Sequence, residues 1–241
     1  MTVHVITDTT SCLSTEMAKR AGVTIVPLHV SVTGRRTFEA REITPGEVAE
    51  IMTKGKERVS TSRPSPGEFV AAYRNAAART GADRLVSVHL SSSVSGTVEA
   101  AELARDELAG QIEVEVVDSR VLGLALGYAV RAGAGAAAAG ASVEEVVAIV
   151  RAHADASRTW FYVDTLEHLR RGGRIGRAQA LLGSALAIKP LLTIRDGEVH
   201  PADRVRTRAK ALAKLVEHAV AEVEAAREAE VEVRMAVLQL A

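Results

Sequence analysis

Apolar, β-branched runs alternate with stretches of helical periodicity along the first 155 or so residues, and this rhythm restricts the chain to a parallel, doubly wound α/β sheet. The extended runs are Val3–Thr7, Val23–Val32, a short piece near Thr37–Ala40, Arg84–Leu90 and Ile112–Val117. Helices are expected over Leu13–Ala21, Glu47–Lys54, Phe69–Thr80 and Thr97–Ala109, then near 121–138 and 143–156. Two start signals are explicit. Thr44-Pro45-Gly46-Glu47 places Thr at the N-cap, Pro at the first helical position and Glu at the third, and Ser65-Pro66-Gly67-Glu68 repeats the pattern.

The rhythm changes near residue 155, which divides the chain into an N-terminal domain over 1–155 and a C-terminal α/β domain with a mixed sheet over 156–241. The second part reads as a strand at Thr159–Val163, a short helix at Leu166–Arg170, a glycine-rich loop, and a helix at Ala178–Ala187. Leu191–Ile194 and Glu198–Val205 flank Asp196-Gly197, a strong hairpin signal. Thr207–Glu230 is a long amphipathic helix with Leu212, Leu215, Val216, Ala219 and Val223 on one stripe, and Val231–Leu240 alternates as a last strand.

Composition removes several function classes. Thirty Lys plus Arg balance 30 Asp plus Glu, so the basic excess of a general nucleic-acid binder is missing, and no nucleic-acid partner is expected. A single cysteine, Cys12, excludes an internal disulfide framework and a cysteine-based zinc site, in keeping with a cytoplasmic chain. The seven histidines show neither HxxxH nor HExxH spacing, so no metal and no cofactor are expected. Arg131 interrupts the Ala/Gly-rich stretch 121–143, so no membrane span is expected. Aromatics make up 3% of the chain, which leaves the core to Ala, Val and Leu.

Three polar segments stand at the carboxyl ends of expected strands: Asp8–Ser11, Ser91–Thr97 and Asp118-Ser119. Open α/β sheets bind ligands there, and hydroxyls with backbone N–H groups suit an anionic head group. Ser11 and Ser119 read equally as helix caps, whereas four serines in the five positions 91–95 exceed what one cap needs. Thr61-Ser62-Arg63-Pro64-Ser65-Pro66 is a stiff hydroxyl-bearing loop in which Ser65 caps the next helix, leaving Thr61 and Ser62 for another task. Arg170-Arg171-Gly172-Gly173-Arg174-Ile175-Gly176-Arg177 is either a solvated basic turn or a phosphate or carboxylate site with Arg174 as a ligand-binding candidate. Arg204, Arg206 and Arg208 form a second basic run at an unfavourable place, the start of a helix, which suggests a partner surface. His89 reads as a satisfied core histidine, and no G-x-S-x-G elbow is present.

Taken together, seven segments resemble the DegV family, the fatty-acid-binding proteins that include the binding subunit of bacterial fatty-acid kinase. They are Ile6–Ser11, Thr61–Phe69, Ser91–Thr97, Val117–Arg120, Leu169–Ile175, Ile188–Leu192 and Val205–Thr207, in the family's order. The resemblance implies two α/β domains with a long-chain fatty acid buried between or beneath them. It implies that Thr61 and Ser92, with Ser62 and Ser93 as neighbours, hold the carboxylate. It further implies that the protein is not catalytic alone. It would present the acid to a separate ATP-using kinase subunit that makes an acyl phosphate, upstream of phospholipid synthesis, with Arg206 facing that partner.

Family members usually carry Gln where this chain has Arg63, so a cation stands beside the expected head-group site, altering ligand choice or sealing the entrance. The family's later His-x-Gly-Pro-Gly segment is not found before Ala241, and the C-terminal domain is expected to lack it. An Ala/Leu/Val lining that includes Leu122, Leu124, Leu126, Leu181, Leu182 and Leu186 would accept an alkyl tail or serve as ordinary core. The competing reading is an enzyme acting on a phosphorylated or carboxylated small molecule, with Asp8, Ser92 and Arg174 around one cleft.

Overall fold

The computed structural model describes residues 2–35, 37–54, 57–181 and 188–239. The chain divides into two compact units, with the break between Ser157 and Arg158.

The first unit runs β1 (Val3–Asp8), a 3-10 turn over Thr9–Ser11, α1 (Thr15–Ala21), β2 (Val23–Val26), β3 (His29–Val32), β4 (Thr37–Glu39), α2 (Pro45–Lys54), β5 (Val59–Ser62) and α3 (Pro66–Thr80). It continues with β6 (Arg84–His89), α4 (Thr97–Glu107), β7 (Glu113–Asp118), α5 (Leu124–Ala138) and α6 (Val143–Ala156). β2-β1-β6-β7 form the expected parallel sheet. Strand alternation sends residues to opposite faces, and both faces are covered, as a parallel sheet requires. Val3, Val5, Val86 and Val88 pack with α1, α5 and α6. Ile6 and Leu85 pack with Phe69, Tyr73, Ala101 and Ala104 of α3 and α4.

The run Val23–Val32 is two strands rather than one. Pro27 lies between them and has no N–H to continue a ladder. The chain leaves the parallel sheet there, and β3 becomes the centre of a separate antiparallel sheet, β4-β3-β5.

The Ala/Gly-rich stretch is explained by close approach. A Cβ at Gly133 of α5 would fall 2.5 Å from Val150 Cγ2 of α6, and one at Gly127 would fall 2.4 Å from the Ser11 carbonyl oxygen. α5 therefore lies directly on the turn that follows β1. Thr7 carries the one buried side-chain polar atom without a hydrogen-bond partner among the described residues, its Oγ1.

The second unit contains β8 (Trp160–Tyr162), α7 (Glu167–Gly172), a 3-10 segment over Gly176–Leu181, β9 (Lys189–Arg195), β10 (Glu198–Val205) and α8 (Arg208–Glu228). Its sheet, β10-β9-β8, is antiparallel throughout the described residues rather than mixed. Asp196 and Gly197 both take positive φ, 52° and 81°, as a type I′ hairpin turn demands. The helix expected over Ala178–Ala187 is a 3-10 segment to Leu181, and 182–187 lie outside the described residues.

α8 packs on all three strands, yet its expected stripe is divided. Ala211 is buried and Leu215, Ala219 and Val223 are half-buried, while Leu212 and Val216 face outward with Val220. His218 fixes the inward face, stacking on Trp160 at 5.7 Å between centroids and lying 2.6 Å from Asp203 Oδ2. Residues 231–239 form no strand, and Val231, Val233, Met235, Val237 and Leu238 are exposed. No strand among the described residues pairs with them, so their alternation has no ladder to join.

Candidate functional site

The carboxyl ends of β1, β6 and β7 carry the three polar segments, and hydrogen bonds decide what each is free to do. Asp8 ends β1 and is fully buried. Its Oδ1 accepts the Thr10 N–H at 2.9 Å and the Thr10 hydroxyl, and its Oδ2 accepts the Leu90 N–H at 3.2 Å and lies 2.9 Å from His89 Nδ1. Thr9 Oγ1 accepts from Leu28 N–H, and the Ser11 hydroxyl donates to the Asp8 carbonyl. The first segment therefore holds itself together, with each of its side-chain oxygens already in a hydrogen bond.

Behind Asp8 runs a buried polar chain. His89 Nε2 lies 2.7 Å from Ser87 Oγ, which is 2.8 Å from the Tyr73 hydroxyl. All groups are satisfied if Tyr73 donates to Ser87, Ser87 donates to Nε2, and Nδ1–H donates to Asp8, an assignment made from the network. The order Ser–His–Asp matches that of a hydrolytic triad, but Ser87, His89 and Asp8 are each 0% exposed. Ser87 cannot meet a substrate, so the arrangement is a cross-brace between β1 and β6. Phe69 closes it with its ring edge-on to His89 at 5.0 Å. His89 and Asp8 lie 81 positions apart in sequence. Sequence periodicity does carry a weak signal, since Ser87 and His89 share one face of β6.

Burial by itself would raise the Asp8 pKa, but the hydrogen bonds from His89 and Thr10 outweigh it and hold the carboxyl below its ordinary 3.8. A carboxylate depressed on folding adds stability above its unfolded pKa and loses it as pH falls through the folded one. Urea midpoints are therefore expected to fall below pH about 4 in the wild type and to fall less in Asp8→Asn. Equal acid sensitivity of the two would remove Asp8 from the account.

Asp118, at the end of β7, organises the serine segment. It accepts the Ser92 hydroxyl at 2.5 Å, the Ser92 N–H at 3.3 Å and the Arg120 N–H at 2.9 Å. Ser91 is buried and its Oγ accepts the Ser93 N–H at 3.2 Å. The Ser119 hydroxyl donates to the Val121 carbonyl. The Ser95 and Thr97 hydroxyls lie 2.8 Å apart. Ser93 is exposed, and its hydroxyl has no hydrogen bond among the described residues.

Thr61 and Ser62 do not lie in a loop but end strand β5, where Thr61 pairs with Val30 and Ser62 with His29. Both are exposed, and neither hydroxyl is bonded among the described residues. Ser65 caps α3 in a full capping box with Glu68. His29 Nε2 sits 2.9 Å from Glu68 Oε1, a contact that sequence reading missed because it joins two elements through one side chain each. Arg63 then links the two hydroxyl-bearing segments. Its Nη1 donates to the Gly96 carbonyl at 3.1 Å and to Glu99 Oε2 at 2.5 Å.

The arginine–glycine segment of the second unit is largely accounted for by its own backbone. Gly173, at φ 73°, ends α7; its N–H reaches the Arg170 carbonyl and the Arg174 N–H reaches the Leu169 carbonyl, a Schellman motif. Gly176, at φ 52°, lets the backbone pass β10, since a Cβ there would sit 2.6 Å from the Val199 carbonyl oxygen. Arg170 and Arg171 both bond Glu167, and the Arg170 hydrogen bond foremost lowers that carboxyl to about 2. Arg177 bonds Glu198, and Arg174 donates to the Gly172 carbonyl. Arg206 follows β10, is exposed, and makes no ion pair among the described residues.

Of the expected lining, Leu126 is core of the first unit, with Leu122 packed against it, and Leu181 is core of the second. Leu124 is half-buried, and Leu182 and Leu186 lie outside the described residues. No described helix is long and apolar enough to cross a membrane. Among the described residues no three His, Cys, Asp or Glu side chains cluster to hold a metal.

Comparison with known proteins gives a consistent picture. Residues 2–239 match the family model described as "Uncharacterised protein, DegV family COG1307". The chain is 45% identical over 215 residues to the DegV domain-containing protein SCO2569 of Streptomyces coelicolor, covering 89% of this chain and 75% of that protein. A DegV domain-containing protein of Deinococcus radiodurans is 43% identical over 218 residues, covering 90% and 76% respectively. Among solved structures, a fatty-acid-binding DegV family protein from Thermus thermophilus superposes with a TM-score of 0.83 at 38% identity, covering 93% of this chain and 79% of that one. The fatty acid binding protein DegV from Bacillus subtilis gives 0.83 at 32% identity, covering 94% and 79%.

Proposed function

This chain belongs to the DegV family, and from that premise we propose that it binds a long-chain fatty acid with its carboxylate held by the hydroxyls of Thr61 and Ser93, with that of Ser62 beside them. The observation that carries the reading is the availability of these three hydroxyls on two segments joined by Arg63. Ser92 contributes by shaping its loop, because its hydrogen is already directed at Asp118. Arg174 contributes as part of the α7 terminus. Solved relatives named for fatty-acid binding support the ligand class.

The energetics suit such a ligand. Burying ~15 methylenes at about 0.8 kcal/mol each offers roughly 12 kcal/mol before ordering costs. Hydroxyl donors orient the carboxylate through hydrogen bonds to its oxygens. The finer reading is that the bound acid is presented to a separate ATP-dependent kinase subunit in the cytoplasm, which transfers phosphate to the carboxylate, and that the exposed Arg206 faces this partner. The alternative, an enzyme built on Asp8, Ser92 and Arg174, is weakened by Asp8, whose oxygens are enclosed by four donors.

Calorimetric titration with oleate tests the reading. Saturable binding of one oleate per chain is expected, and no binding would overturn it. Adding ATP and a fatty-acid kinase catalytic subunit is expected to yield acyl phosphate, with Arg206→Ala slowing transfer and leaving oleate affinity unchanged. Transfer unaffected by that substitution would remove Arg206 from the interface.

A further inference from the structure

We propose that Arg63 is a specificity residue that reads the ionised head group, making this chain selective for anionic acyl ligands over neutral lipids of the same length; the assignment rests on the fatty-acid reading above. Three observations carry it.

The first is placement. Arg63 directly follows Ser62, and its side chain reaches the Gly96 carbonyl and the Glu99 carboxylate, three and six positions beyond Ser93. The guanidinium is thereby held between the two segments whose hydroxyls are open.

The second is the donor set. Only Nη1 takes part in these bonds. Nε–H and the Nη2 hydrogens have no partner among the described residues, and that edge of a guanidinium is the one that matches both oxygens of a carboxylate. The side chain remains 42% exposed, so the edge is accessible.

The third is the room made for it. A Cβ at Gly96 would fall 1.8 Å from Arg63 Nη1 and 2.9 Å from Cζ. Glycine at the N-cap of α4 provides no side-chain cap, but its missing Cβ leaves the space that the guanidinium occupies. Glu99, in the first turn of the same helix, then fixes its orientation. A cation at a helix N-terminus is otherwise unfavourable, and Glu99 compensates it.

Hydroxyl donors already bond a carboxylate more strongly than an alcohol, and the guanidinium adds a further attraction that only the ionised acid receives. An oriented guanidinium favours the acid, because a charge-assisted pair is roughly twice as strong as a neutral one. The test compares oleate with oleyl alcohol by competition against a fluorescent fatty acid. The wild type is expected to prefer oleate by about tenfold or more, and Arg63→Gln to narrow that preference through weaker oleate binding, with oleyl alcohol unchanged. Gly96→Ala, which displaces the guanidinium and keeps its charge, is expected to fall between the two.

If both lipids bind and Arg63→Gln leaves their ratio unchanged, the Arg63 assignment is wrong and the fatty-acid reading stands. If neither lipid binds the wild type, the fatty-acid reading fails and takes this assignment with it. Unchanged thermal unfolding of Arg63→Gln, expected for an exposed ion pair, separates loss of recognition from loss of fold.

Discussion

Replacing His89 by alanine is expected to lower the stability of the N-terminal unit by about 3–5 kcal/mol, the range reached when a buried carboxylate loses a hydrogen-bond donor and a large buried side chain leaves a cavity. His89 is 0% exposed and touches the network at both ring nitrogens. Its removal leaves Asp8 buried without its main side-chain donor, and leaves the Ser87 hydroxyl without an acceptor on that side. It also opens a cavity beneath the Phe69 ring. The damage spreads to the strand ends, because Asp8 also holds Thr10 and the Leu90 amide. Urea unfolding followed by circular dichroism reads the loss. A change below about 1 kcal/mol would mean that the chain from Tyr73 to Asp8 is a polar decoration and not a brace.

The double substitution Thr61→Ala with Ser93→Ala is expected to weaken oleate binding by about 100-fold while leaving unfolding unchanged. Each hydroxyl that donates to a charged acceptor contributes about 1.5–3 kcal/mol, and every 1.4 kcal/mol is tenfold in affinity. Both side chains are exposed and bond nothing among the described residues, so the fold does not depend on them. Ser92→Ala is expected to behave differently. It removes a bond to Asp118 and loosens the serine segment, so its effect on binding comes with a small loss of stability. Full-strength oleate binding by the double variant would place the carboxylate elsewhere.

What could be read from the sequence follows the range of each signal. Local signals were legible: the capping boxes at Thr44–Glu47 and Ser65–Glu68 appear as Thr or Ser three residues before Glu, and the turn at Asp196-Gly197 as its dipeptide. The parallel sheet was legible from period and spacing. The second sheet was not, because Pro27 divides one apolar run between two sheets, and Val59–Ser62 is too polar to declare itself a strand. Apolar periodicity also misassigned the outward side of α8, where Leu212 and Val216 sit one helical turn apart with no covering element among the described residues.

The candidate site shows the same division. Thr61, Ser62 and Ser93 were singled out as candidates by residue type and motif. Whether each hydroxyl was open depended on partners far along the chain, such as Asp118 for Ser92. Arg63 was visible as an oddity, but its seat on Gly96 and Glu99, 33 and 36 positions away, needed the fold.

Native mass spectrometry of the chain as purified, followed by solvent extraction and identification of whatever is released, tests the central claim most directly. The account predicts one long-chain fatty acid per chain, released as the free acid. A chain that carries no lipid and also fails to take up added oleate would contradict it.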